Sequence, residues 1–246
     1  MVILHKVAKD LKEASYLAVD AGIDMHMHGP DFLEAVRNLV IEGKLPKERI
    51  DQASKKILLA KFKLGLFENP YVDIDKVEQR IFTKKHQQTS LDIARKSIVL
   101  LKNESILPIK SNKFKNILVT GPNANNHSIL GDWVKPQPEK TVTTVYEGIR
   151  NIGNEKGFSV NYFNSGESIR DISDRNINET VEYVKNNMFD LIVVVVGDNS
   201  MRDLHGQKTA GENMARADIN LAGNQLQLIK SLYKTNIPII LILVNG

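Results

Sequence analysis

Two near-unbroken apolar runs, Leu191 to Val196 and Ile237 to Val244, constrain this 246-residue chain most strongly. Each is far short of the roughly 20 residues needed to cross a bilayer, so no membrane role is expected. Each is also too continuous for a strand with one wet face. Such runs are strands buried on both faces of a parallel sheet, with the connecting helices covering it. Strands at Asn116 to Thr120 and Phe158 to Phe163 extend the pattern, and Pro238 to Val244 closes it. Between them come helices at Thr144 to Ile152, Glu179 to Asn187 and Gly223 to Tyr233. The second part of the chain therefore predicts a doubly wound α/β domain with a largely parallel sheet.

The first part reads as helix, short strand, helix, helix. Lys6 to Val19 carries Val7, Leu11, Ala14 and Leu17 or Ala18 on one side and ends at Gly22. Ile23 to Met27 is a short apolar strand, and Gly29-Pro30 opens a helix with Phe32, Leu33, Val36, Leu39 and Val40 on one stripe. A third helix begins near Pro46 and presents Ile50, Ala53, Ile57 and Leu64. Between Glu68 and Lys85 periodicity lapses over Asn69-Pro70 and eight charged residues, which marks a linker. Ser90 to Lys96 then forms a helix running into a short strand, Ile98 to Leu101.

Composition narrows the class. With 42% hydrophobic and 25% charged residues, the chain is neither disordered nor fibrous. No cysteine means no disulfide scaffold, thiol nucleophile or cysteine-ligated metal. The amino terminus mixes Lys6, Asp10 and Glu13 into its apolar residues, unlike a signal peptide. The net charge of +4 comes largely from seven Lys and Arg against two acids between Lys44 and Lys63. That segment is a solvated helix face rather than a nucleic-acid surface.

Loops in such a sheet usually span about 2–6 residues. Two here are far longer, from Gly121 to about Thr143 and from Asp198 to about Asn220, and both leave the carboxyl end of a strand, where open parallel sheets bind ligands. The first holds Trp133, the one tryptophan, beside Asp132 and after Asn123, Asn125 and Asn126. The second holds Asp198, Asp203, His205, Glu212 and Arg216. An aromatic face with carboxylates and amides suits a polyhydroxylated ligand, whose C–H faces pack on the ring while its hydroxyls take the polar groups. The plainer alternative is that Trp133 plugs its loop onto the domain and the acids are solvated. Gly121-Pro122-Asn123 lacks the spacing of a phosphate loop, and Pro122 removes a backbone donor. His26 and His28 share a strand face but have no third ligand at a telling spacing, so no metal is expected. Ser90, Ser97 and Ser105 lack the Gly-x-Ser-x-Gly setting of a serine hydrolase.

Several segments, in order, resemble glycoside hydrolase family 3. They are Ala21-Gly22-Ile23-Asp24-Met25-His26-Met27, Ile50-Asp51, Lys61 to Tyr71 (KFKLGLFENPY), Ala94 to Glu104 (ARKSIVLLKNE) with Leu107-Pro108-Ile109, Val119 to Ala124 (VTGPNA), and Gly211-Glu212 with Arg216, Asp218 and Gln225. The resemblance implies the end of an (α/β)8 barrel over residues 1–67, a linker over 68–88 and an α/β sandwich domain over 89–246, incomplete at its carboxyl end. It implies a cofactor-free retaining hydrolase of terminal β-linked sugars, β-glucosidase-like, acting on a β-linked oligosaccharide or glycoside. Relatives are often periplasmic or secreted, which leaves the compartment open. Glu212 matches the family's acid/base position, with Asp203 and Asp198 as alternatives because loop acids align loosely there. That carboxyl protonates the leaving oxygen and then deprotonates water, about 5–5.5 Å from the nucleophile. Trp133 resembles the aromatic flanking the leaving-group side, with Asp132, Asp203, His205 and Arg216 as further sugar-binding candidates. Ala215 and Ala222 depart from the family's usual aspartate and proline. The family's nucleophilic aspartate belongs to a segment upstream, and no Ser-Asp-Trp or similar segment occurs here. The expectation is thus a fragment missing its N-terminal barrel segment and inactive alone. The rival readings are a non-catalytic carbohydrate-binding or interaction domain and, third, a nucleotide-binding domain.

Overall fold

A computed structural model of the chain describes residues 6–29, 31–134, 137–138, 141–201 and 208–245. It divides into two compact units, one extending to Val99 and the other beginning at Leu100.

The first unit is helical. Its elements are α1 (Leu11–Asp20), α2 (Phe32–Ile41), α3 (Lys47–Lys63), a 3-10 turn (Ile74–Lys76), α4 (Val77–Arg80) and α5 (Lys84–Ser97). Val19, Leu39 and Leu45 form a small buried core, with Phe32, Val36 and Ile50 packed half-buried around it. Asp24, just after α1, accepts from Arg49 Nη1 at 2.9 Å and Lys56 Nζ at 2.6 Å. Arg49 also donates to the carbonyls of Val19 and Ile23, so α3 grips the chain where α1 ends. The Lys56 hydrogen bond, helped by Arg49, holds the Asp24 carboxyl below its usual range.

Two expected strands do not form. Ile23 to Met27 and Ile98 to Leu101 carry no sheet hydrogen bonds. A strand needs a partner for its N–H and C=O groups, and the described residues of the first unit contain no strand at all. Helix α5 starts at Lys84, six residues before the expected Ser90, because the Thr83 hydroxyl caps it by accepting from the His86 N–H.

Among its described residues the second unit holds a four-stranded sheet whose strand pairs are all parallel. In chain order it holds β1 (Asn116–Thr120), α6 (Val145–Lys156), β2 (Ser159–Phe163), α7 (Asp174–Lys185), β3 (Leu191–Gly197), α8 (Gln225–Tyr233) and β4 (Ile239–Val244). The strand order is β2-β1-β3-β4, with Val119 opposite Val193 and Val193 opposite Ile240. Alternate residues of the central strands feed two cores. Leu118, Ile192, Val194 and Val196 pack with Ile177 and Val184 of α7 and Leu228 and Leu232 of α8. Ile117, Val119, Leu191, Val193 and Val195 pack with Phe114, Phe158 and the α6 residues Val145 and Ile149. Every position of β3 is buried, which is why its sequence shows no polar alternation. At the amino end of the sheet the Asp190 carboxylate accepts from the N–H groups of Lys115 and Asn116 at 2.8 and 2.9 Å. Those two backbone bonds draw its carboxyl below the ordinary range.

From β1 the chain winds to β2 on one side and then crosses to β3 on the other. The carboxyl ends of β1 and β3 therefore flank the point where winding reverses, the place where open α/β sheets form a crevice.

Candidate functional site

Both oversized loops spring from that point. The first occupies 121–144 and the second 198–224. The loop leaving β1 lies on β3 at once. Asn123 N–H donates to the Val195 carbonyl at 3.3 Å, and its side-chain amide donates to the Asp198 carbonyl at 3.2 Å. The loop returns to its start before α6: Tyr146 N–H donates to the Ala124 carbonyl and the Thr144 hydroxyl to Asn125 Oδ1 at 2.9 Å. Thr144 and Glu147 cap α6 reciprocally, and the Thr144 N–H at its carboxylate holds Glu147 below its usual range.

The second loop is also fastened at its base. Thr209 N–H donates to the Asn199 carbonyl at 2.7 Å, while the Thr209 hydroxyl accepts from Asn199 N–H and donates to Asp198 Oδ1. Arg216 Nη1 donates to the same Asp198 oxygen at 2.6 Å, and Nη2 donates to the Asn220 carbonyl. Gln225, fully buried, accepts from Gly197 N–H and donates to the carbonyls of Gly197 and Ala222, which fixes α8 to the end of β3.

The two loops meet in a buried ion pair. Lys208 Nζ stands 2.6 Å from Asp132 Oδ2, with side chains only 4% and 9% exposed. The other Asp132 oxygen accepts from Trp133 N–H at 2.9 Å, and Asp132 N–H donates to Ser200 Oγ at 3.1 Å. Beside this pair the chain turns, Met214 N–H donating to the Gly211 carbonyl, with Glu212 exposed in the bend. Trp133 presents its ring outward at 73% exposure from a left-handed backbone (φ 64°). A bulky residue in that region marks a backbone imposed by its surroundings. The structure thus gathers Asp132, Trp133, Glu212, Arg216 and Asp198 at one edge of the sheet. Asp132 and Arg216, expected to meet sugar, each hold the loops through an ion pair. Asp203 and His205 lie outside the described residues.

Sequence reasoning missed Lys208, Thr209 and Ser200. A lysine in a polar loop reads as solvated, and its partner is 76 residues away, where no spacing rule reaches. In the first unit, His26 stacks on Phe32 at 4.1 Å. Among the described residues no three His, Asp or Glu side chains come together as a metal site would need. Chemically, the sheet edge offers an exposed carboxyl on a short turn, an exposed indole and two neutralised ion pairs, a setting for proton transfer beside an aromatic platform.

Comparison with known proteins shows the family. The glycosyl hydrolase family 3 C-terminal domain matches residues 98–246. A β-xylosidase of Formosa agariphila is 31% identical over 99% of the chain and 34% of its own length. A periplasmic β-glucosidase of Salmonella typhimurium is 31% identical over 100% of the chain and 34% of its length. The crystal structure of a β-glucosidase from Listeria innocua in complex with glucose superposes with a TM-score of 0.74 at 29% identity, over 98% of the chain and 31% of that structure. The chain spans about a third of the length of these relatives. With the domain match over most of its length and a 31% identical relative matched along the whole of this chain, the chain belongs to glycoside hydrolase family 3.

Proposed function

We propose that this chain supplies the acid/base side of a retaining β-glycosidase that removes terminal β-linked sugars, β-glucosidase-like, from oligosaccharides or glycosides. Residues 1–67 are then the end of an (α/β)8 barrel, 68–88 a linker and 89–246 the sandwich domain. The nucleophile is expected outside these 246 residues, since no matching segment occurs among them. Glu212 protonates the leaving oxygen and then takes the proton of the attacking water. Trp133 stacks on the leaving-group sugar, with Asp132, Asp203, His205 and Arg216 lining or bracing that side. The single observation that carries this reading is the joining of the Gly211-Glu212 turn and Trp133 at the winding reversal of the sheet.

The test uses Glu212→Gln in a protein that unites this chain with a complete barrel. General acid catalysis contributes about 10²–10⁴-fold, most where the leaving group is poor. Alkyl and oligosaccharide substrates should lose that much, aryl glycosides of acidic phenols far less at the glycosylation step. Azide should restore turnover, since it attacks the glycosyl-enzyme without a base. An equal loss on all substrates with no azide effect would make Glu212 structural. The same leaving-group pattern in Asp203→Asn or Asp198→Asn would move the role there. Turnover of aryl β-glucosides by the isolated 246 residues, abolished by Glu212→Ala, would place the nucleophile inside this chain.

A further inference from the structure

Lys208 is a cation almost removed from water. Burying an ammonium is costly unless it is paired, so its position has to be held from several directions. Its carbonyl accepts from Arg170 Nη2 at 3.2 Å, and the next residue is fastened to Asn199. Its ammonium meets Asp132, whose second oxygen holds the Trp133 backbone. The turn carrying Glu212 lies directly on this pair. A Cβ built on Gly211 would stand 3.5 Å from Lys208 Cε and 3.7 Å from Asp132 Oδ2. One carboxylate thus ties the lysine to the tryptophan segment, right beside the Gly211-Glu212 turn.

We infer that Lys208 is a positioning residue for Glu212: its buried pair with Asp132 sets the separation between the acid/base carboxyl and the Trp133 platform. This rests on the role given to Glu212 above, but the placement itself can be measured without catalysis. The chain has one tryptophan and no cysteine, so Glu212→Cys creates a single labelling site beside a single quencher. A bimane label on that thiol in the full 246-residue chain is quenched by a nearby indole. Quenching should be strong, and Trp133→Phe should abolish it. Adding Lys208→Met should remove most of it while circular dichroism still reports a folded chain, and Lys208→Arg should retain it. Where Lys208→Met alone does not fold, Lys208→Met with Asp132→Leu leaves no charge buried, and that pair should also lose the quenching. A folded Lys208→Met or double variant with quenching intact would overturn the proposal, leaving the pair as a stabilising contact only. Because the signal is blind to chemistry, failure of the leaving-group test does not move it, and its failure leaves that test standing.

Discussion

At Gly211 the backbone runs at φ +87°, and a Cβ built there would stand 2.9 Å from the Cβ of Ser200. Only glycine takes that conformation without strain, and the crowding comes from the second loop's own base. Gly211→Ala should therefore destabilise the chain by about 1–3 kcal/mol, read as a lower midpoint in urea. A change near zero would mean that the turn relaxes freely. The Gly211-Glu212 pair was legible from the sequence because it belongs to a recognisable run. What surrounds it was not. Asp198 and Arg216 stood out as charged loop residues suited to a ligand, yet they bind each other. Sequence shows that a carboxylate and a guanidinium are present, and only the fold shows that they have already neutralised one another. Lys208 is the sharper case, since a buried lysine and a solvated one are spelled alike.

Among the elements, β3 was legible residue for residue because both of its faces are apolar, and the structure extends it only by Gly197. Ile23 to Met27 has no strand beside it, and Ile23, Met25 and Met27 stay exposed in a loop. Strand formation depends on a neighbour that the segment itself does not encode. The sheet also has a titratable fastening. The Asp190 carboxylate binds two backbone N–H groups at the start of β1, and its pKa falls below the usual 3.8 on folding. Between the folded and unfolded values the unfolded chain binds more protons, so stability rises with pH in that window. The contribution is complete above the ordinary aspartate value and is lost as pH falls through about 3.8 and the lower folded value. Asp190→Asn should lower stability at pH 7, and its difference from the unaltered chain should shrink steadily on acidification below pH ~4. Denaturant midpoints across that range measure it, and a difference independent of pH would assign the effect to packing.

In the whole molecule the two units have unequal resources. Among the described residues the first has only a small buried cluster around Val19, Leu39 and Leu45 and leaves Leu33, Phe62 and Leu64 at 60% exposure or more, whereas the second encloses both faces of β3. Regions with few buried apolar contacts open at low free-energy cost. Limited trypsin digestion should therefore cut first at the exposed Lys76 and Arg80 between α3 and α5 and leave a resistant fragment that contains β1 to β4. Mass spectrometry of the early products checks this, and a first unit that survives as long as the sheet would contradict it. The parallel sheet and its two long loops were legible at this scale; the fastening of those loops was not, because hydrogen bonds such as Thr144 to Asn125 and Thr209 to Asn199 join residues of ordinary loop composition. That fastening has an evolutionary consequence. A lobe closed at its neck can grow, shrink or be exchanged without pulling on the strands beneath it, and each doubling of its length costs only about 0.6 kcal/mol of closure entropy. On the role proposed above, drift in leaving-group preference can thus accumulate in the lobes while the sheet stays as it is, and a lobe transplanted between relatives should carry its preference with it.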